Sequence, residues 1–275
     1  MRVAKEIDIT INGLFVSHTD DGDEKAPAIV FIHGFPLNKA MWNHQVEILR
    51  NRYRVITYDV RGYGNSEPGD EELTIDLFAL DLKRLLDALN LEKVILCGFS
   101  MGGYIALRAI EKFPERFDSL ILCDTQCSAD TPESKDKRMK SIQAIRLGGI
   151  ELYADQILSG FFFNDPVNKK SKEMIEVRRM IESSSPEVVC NTLLALADRS
   201  ETCSNLEKID IPVLILVGNE DNVTPPSAAE FMHSKISGST LFKLGKAAHL
   251  SMMDNATDFN KNLEDFLELV TQKKL

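Results

Sequence analysis

The chain has 275 residues, with 32 Lys and Arg against 42 Asp and Glu for a net charge of −10. That length favours one large domain or one domain carrying an insertion, and 44% hydrophobic with 27% charged residues is an ordinary globular balance. The acidic surplus repels nucleic acid and anionic membranes, so neither is expected as a partner.

The opening MRVAKEIDIT lacks the apolar core and small-residue cleavage site of a signal peptide. No later stretch nears the roughly 18 apolar residues that span a bilayer, so a cytoplasmic protein is expected. EIDITING and LFVSHT alternate around Asn12 and Gly13, which predicts an antiparallel hairpin at a sheet edge. AIVFIH (28–33), YRVITYD (53–59), KVILCG (93–98), SLILCD (119–124), PVLILVG (212–218) and STLFKLG (239–245) follow as further strands, about eight in all. Helical patterns lie between them: one capped by Thr74 and stopped at Asn90, then Met101 to Phe113 ahead of Pro114, Ala228 to Ile236, and Ala256 to Val270. Alternating strands and helices predict a mostly parallel sheet with helices on both faces.

One interval breaks the alternation. Between Ser128 and Leu206 only helical stretches occur, among them MKSIQAIRL, GIELYADQIL, SKEMIEVRRMI and EVVCNTLLALADR. A structureless loop of that length does not suit a compact domain, so residues 128–206 are expected to form an inserted helical cap on a core of 1–127 and 207–275. KKSKE (169–173) is expected to be a solvated helix start. Cys97, Cys123, Cys127, Cys190 and Cys203 form an odd, scattered set without a CxxC pair, and free thiols are expected.

Gly98 to Gly102 fits G-x-S-x-G, and it stands where the pattern needs it, after a strand and before a helix. The glycines relieve crowding at a sharp turn that aims the Ser100 hydroxyl above the carboxyl edge of the sheet. A serine needs a base, and the base needs an orienting acid. His249, four residues beyond STLFKLG, is the candidate base; His18, His44 and His233 are expected on the surface or in the core, and His33 belongs to the HGFP turn. Asp221, just past PVLILVG, completes the chain order Ser, Asp, His, and Asp124, at another strand end, is its rival; Glu220 is expected at the surface. Gly34 lets the chain turn so that the Phe35 amide faces Ser100, and the Met101 amide at a helix start supplies a second oxyanion donor.

HGFP (33–36), YDVRGYGNS (58–66), GFSMGG (98–103), GNEDNVTPP (218–226) and AAHLSMMD (247–254) occur in the order found in α/β-hydrolases. The chain resembles capped esterases of that family, and ALADRS with DNVTPP makes it similar to 3-oxoadipate enol-lactonases. The resemblance implies an α/β-hydrolase fold, a triad of Ser100, Asp221 and His249, and a structural role for Asp59, Arg61, Gly62, Gly64 and Ser66. Phe99 and Ala248 depart from the family pattern beside the nucleophile and base. The expected activity is hydrolysis of a small ester or lactone by a monomer or homo-oligomer, without metal or organic cofactor. The same triad suits acyl transfer to hydrogen peroxide or another alcohol, and a slow-turnover receptor is the alternative outside catalysis. A dicarboxylate lactone would need cations, for which Arg138, Arg146, Arg178, Arg179 and Arg199 are candidates; Phe161 to Phe163 point instead to an apolar pocket or cap core.

Overall fold

A computed structural model describes residues 6–164 and 171–272. The start of MRVAKEIDIT and Lys169 and Lys170 of KKSKE lie outside the described residues. Eight strands form one sheet: β1 (Glu6–Ile11), β2 (Leu14–Asp21), β3 (Ala28–Ile32), β4 (Arg54–Tyr58), β5 (Val94–Phe99), β6 (Phe117–Cys123), β7 (Val213–Gly218) and β8 (Thr240–Leu244). Their spatial order is β1-β2-β4-β3-β5-β6-β7-β8. The β1–β2 and β2–β4 pairs are antiparallel, and every pair from β4 to β8 is parallel. β5 and β7 are buried at every position, as the continuous apolar runs VILCGF and VLILVG require of strands covered on both faces.

The covering helices are α1 (Asn43–Leu49), α2 (Ile75–Ala88), α3 (Met101–Lys112), α4 (Pro132–Phe161), α5 (Ser171–Glu182), α6 (Pro186–Asp198), α7 (Pro226–Lys235), α8 (Ser251–Asp254) and α9 (Ala256–Gln272). α2 starts where expected, because the Thr74 hydroxyl accepts from the Leu77 N–H at 3.0 Å, a cap worth about 1 kcal/mol. Its buried face is Ile75, Phe78, Ala79, Leu82, Leu85 and Leu86. Each of the Ile, Leu and Phe side chains contributes roughly 1.5–3 kcal/mol where burial is complete. Asn90 ends the segment with φ 54°, a conformation asparagine adopts more readily than most residues.

Among the described residues no strand lies between β6 and β7, where α4, α5 and α6 form a helical excursion. The two stretches MKSIQAIRL and GIELYADQIL are the two limbs of α4, separated by non-helical backbone at Gly149 (φ 82°, ψ 176°). The expectation of five free thiols is wrong in one pair. Cys127 and Cys203 form a disulfide across a sequence separation of 76, while Cys97, Cys123 and Cys190 are free and buried. The cause lies in the topology: β6 and β7 are neighbours, so the departing and returning ends of the excursion meet. The Thr202 N–H donates to the Cys127 carbonyl at the same place (2.9 Å).

Candidate active site

β5 delivers Ser100 into a turn with φ 52° and ψ −112°, sparsely populated backbone that costs on the order of 1–3 kcal/mol. The neighbouring glycines are dictated by contact: a Cβ at Gly98 would lie 2.3 Å from the Gly102 carbonyl oxygen, and one at Gly102 would lie 2.4 Å from that of Ile32. Two further bonds hold the turn. The Ser100 N–H donates to the Cys123 carbonyl (3.0 Å), and the Thr125 hydroxyl donates to the Ser100 carbonyl (2.8 Å). Thr125 gave no sequence signal beyond its place after a strand end.

The Ser100 Oγ and His249 Nε2 are 3.0 Å apart, and His249 Nδ1 is 2.9 Å from Asp221 Oδ2. A carboxylate only accepts, so it holds the proton on Nδ1 and leaves Nε2 to accept from the serine O–H. Asp221 is itself fixed: Oδ1 accepts from the Val223 and Thr224 amides (2.7 and 3.0 Å), and Oδ2 from the Thr224 hydroxyl (2.8 Å). Burial pushes the Asp221 carboxyl upward, but the charge and hydrogen bond of His249 and the Thr224 bonds outweigh it and hold the group below its ordinary range. Thr224 thus does more than shape the turn. Its hydroxyl shares the oxygen that faces the imidazole.

A Cβ built on Gly34 would lie 3.2 Å from the Ser100 Cβ, which brings the Gly34–Phe35 peptide beside the serine. Met101 is the first residue of α3, where an amide has no acceptor within its own helix. Gly34 and Met101 therefore both lie beside Ser100, on two different segments.

The 3-oxoadipate enol-lactonase 1 of Acinetobacter baylyi is 32% identical over 253 residues, 91% of this chain and 92% of that protein. The chain belongs to the α/β-hydrolase family. The family model for the alpha/beta hydrolase fold matches residues 27–148, and one described as TAP-like protein matches 181–273. Among solved structures, a thermophilic esterase from Thermogutta terrifontis aligns with TM-score 0.90 and 31% identity over 97% of this chain and 99% of that one. The enol-lactonase from Burkholderia xenovorans LB400 aligns with TM-score 0.88 and 26% identity over 95% and 100%.

The other candidates of this α/β-hydrolase have different employment. Asp124 does not meet the imidazole; it accepts from the Gly218 amide (2.9 Å) and the Ser251 hydroxyl. His33 is fully buried with Nε2 accepting from the Val60 amide (2.9 Å) and Nδ1 facing the Gly34 carbonyl (3.0 Å), and burial lowers its pKa, so it stays neutral. His18 is buried in β2, His44 and His233 are exposed, and so is Glu220. Asp59 accepts from the Lys39 amide and ammonium and from the Asn65 amide, Ser66 donates to the Asp59 carbonyl, and Arg61 pairs with Asp81. Phe99 packs on His249 with ring centroids 5.0 Å apart, and the Ala248 amide donates to Asp254 (2.9 Å).

The arginines of the helical excursion divide in two. Arg138 and Arg199 both pair with the buried Asp130, and Arg178 pairs with Asp155 and Glu182. Arg146 and Arg179 are exposed. Phe161 and Phe162 are buried, and the Phe161 ring faces His249.

Proposed function

We propose that the protein is a serine hydrolase that cleaves a small carboxylic ester or lactone through an acyl-enzyme. The observation that carries this reading is the continuous Ser100–His249–Asp221 hydrogen-bond chain on a strained strand-to-helix turn. His249 Nε2 takes the Ser100 proton while Oγ bonds to the substrate carbonyl carbon, and Asp221 stabilises the imidazolium so formed. The Phe35 and Met101 amides donate to the oxyanion, where losing one donor costs roughly 3–4 kcal/mol. The tetrahedral centre collapses, His249 returns the proton to the departing alkoxide, and the Ser100 ester remains. Water then yields its proton to His249 as it adds to that ester, and the second tetrahedral centre breaks its bond to Ser100 Oγ, which takes the proton back from His249 as the acid leaves.

Residues 128–206 serve in this proposal as a cap, stapled at its neck by Cys127–Cys203. With Arg138 and Arg199 held by Asp130 and Arg178 held by acidic neighbours, these three side chains are committed to protein carboxylates. An anionic substrate group would therefore fall to Arg146 and Arg179, which stay exposed. Among the described residues no helix is long and apolar enough to cross a membrane. The cytoplasm is the proposed location, and the Cys127–Cys203 bridge stands against it, because disulfides persist in oxidising compartments; thiol trapping in living cells decides, a reduced pair supporting the cytoplasm and an intact bridge excluding it.

Turnover of p-nitrophenyl acetate, its abolition in Ser100→Ala, and fluorophosphonate labelling confined to Ser100 are the expected results. A panel of esters and lactones varied in length and charge, compared by kcat/KM, identifies the substrate class. Full turnover by Ser100→Ala would refute the nucleophile assignment.

A further inference from the structure

Asp124 is a fully buried carboxyl that the proposed chemistry leaves unused. It stands at the end of β6, between the strands that deliver Ser100 and Asp221, with φ 44°, a conformation aspartate tolerates better than most residues. One oxygen, Oδ1, accepts from the Gly218 amide at 2.9 Å, three residues before Asp221. The other, Oδ2, accepts from the Ser251 hydroxyl, two residues after His249. Gly218 is also the residue whose carbonyl accepts from the Asp221 amide (3.1 Å), so it fixes the acid turn from both of its peptide groups.

We propose that Asp124 is a positioning residue that ties the turn bearing Asp221 to the loop bearing His249 and so sets the acid–base distance. The inference rests on the serine-hydrolase reading above. The two loops also meet where the Glu220 amide donates to the Ala247 carbonyl (2.9 Å), but Glu220 is exposed, whereas the Asp124 tie is sealed from water. Burial, with Asp221 and Asp254 nearby, raises the Asp124 carboxyl against the opposing pull of the Ser251 and Gly218 bonds; the Cys123 thiol also lies within its field. A neutral carboxyl still offers an acceptor to Gly218 and a partner to Ser251, so the tie works through hydrogen bonds and not through charge. It does not need ionisation.

The test compares Asp124→Asn, Asp124→Ala and Ser251→Ala by kcat and KM on p-nitrophenyl acetate and by the far-downfield proton resonance of the His249 Nδ1–H. Asparagine keeps an acceptor for Gly218 and presents a donor to Ser251, so its kcat is expected within about threefold of wild type with the resonance retained. Asp124→Ala is expected to lower kcat by on the order of 10²-fold with KM little changed, and to shift or broaden the resonance. Ser251→Ala, which spares the Gly218 bond, is expected to give a smaller change of the same kind and covers the case in which Asp124→Ala does not fold. Wild-type kcat and an unmoved resonance in Asp124→Ala or Ser251→Ala overturn the proposal, as does an Asp124→Asn as damaged as the alanine variant. Were the wild type inactive on every ester, the serine-hydrolase reading would fall while the resonance still judged the tie.

Discussion

The ring of Phe161 faces the imidazole of His249 with centroids 5.5 Å apart. Around that contact the Leu250 amide donates to the Phe161 carbonyl (2.9 Å), and Asp254 Oδ2 accepts from both the Phe163 and Ala248 amides (2.8 and 2.9 Å). The end of α4 and the loop of the proposed base are therefore one hydrogen-bonded unit. Asp254→Ala is expected to lower kcat/KM by about 10-fold or more as the imidazole loses its support. Fluorophosphonate labelling of Ser100 should slow in parallel, and unchanged rates in both assays would show that this unit does not hold the base.

Asp221→Asn separates orientation from packing. Its Oδ1 can still accept from Val223 and Thr224, but an amide N–H in place of Oδ2 would face the His249 Nδ1–H and favour the wrong tautomer. A fall in kcat of about 10³–10⁴-fold with little loss of thermal stability is expected, by analogy with the corresponding change in a Ser-His-Asp protease. Steady-state kinetics beside a thermal melt checks it, and a loss under tenfold would contradict the role given to Asp221.

The residues that the sequence made legible are those whose constraints are local. Gly98 and Gly102 flank Ser100 because backbone oxygens lie within 2.5 Å of where their Cβ atoms would stand, and that crowding is written at fixed spacing. Asp221 and His249 follow strand ends in an order that the scaffold dictates. Thr125, Thr224 and Asp124 are ordinary polar residues until neighbouring strand ends bring them against the site. The Cys127–Cys203 pair was hidden for the same reason: only the adjacency of β6 and β7 closes a separation of 76 residues. The arginines were legible as cations and illegible as partners, since Asp130 reaches Arg138 across eight residues and Arg199 from the other end of the excursion.

Acid should loosen the excursion through Asp130. Burial pushes this carboxyl upward, but the bonds and charges of Arg138 and Arg199 prevail and its folded pKa lies below the ordinary value of 3.8. A depressed pKa means the unfolded state binds more protons, so this contribution is complete above the unfolded value and lost as pH falls through the folded one. Hydrogen-exchange protection factors, taken relative to the intrinsic rate at each pH, should therefore stay high across residues 128–164 and 171–206 at neutral pH and fall below that range. Asp130→Asn should bring that lower protection to neutral pH at a cost of roughly 1.5–3 kcal/mol, because Arg199 loses its carboxylate and keeps only carbonyl acceptors. Equal protection in the variant at pH 7 would remove Asp130 as the keeper of this segment.

The disulfide stabilises by a different route, through the unfolded chain. Closing a loop of 76 residues removes conformational freedom worth roughly 4 kcal/mol in the chain-entropy account, an upper figure wherever the unfolded chain keeps residual structure. Neither cysteine carries a bond to Ser100, His249 or Asp221, and the neck keeps the Thr202–Cys127 and Arg199–Ser128 backbone contacts when the bridge is absent. The double variant Cys127→Ala/Cys203→Ala is thus expected to melt roughly 10 °C lower while its kcat at 25 °C stays within about twofold. Reductant should lower the wild-type melting temperature by a similar amount and leave the double variant unmoved. A wild type indifferent to reductant would mean that the two thiols do not join in solution, whereas a collapse of kcat in the double variant would mean that the staple shapes the site as well as the neck.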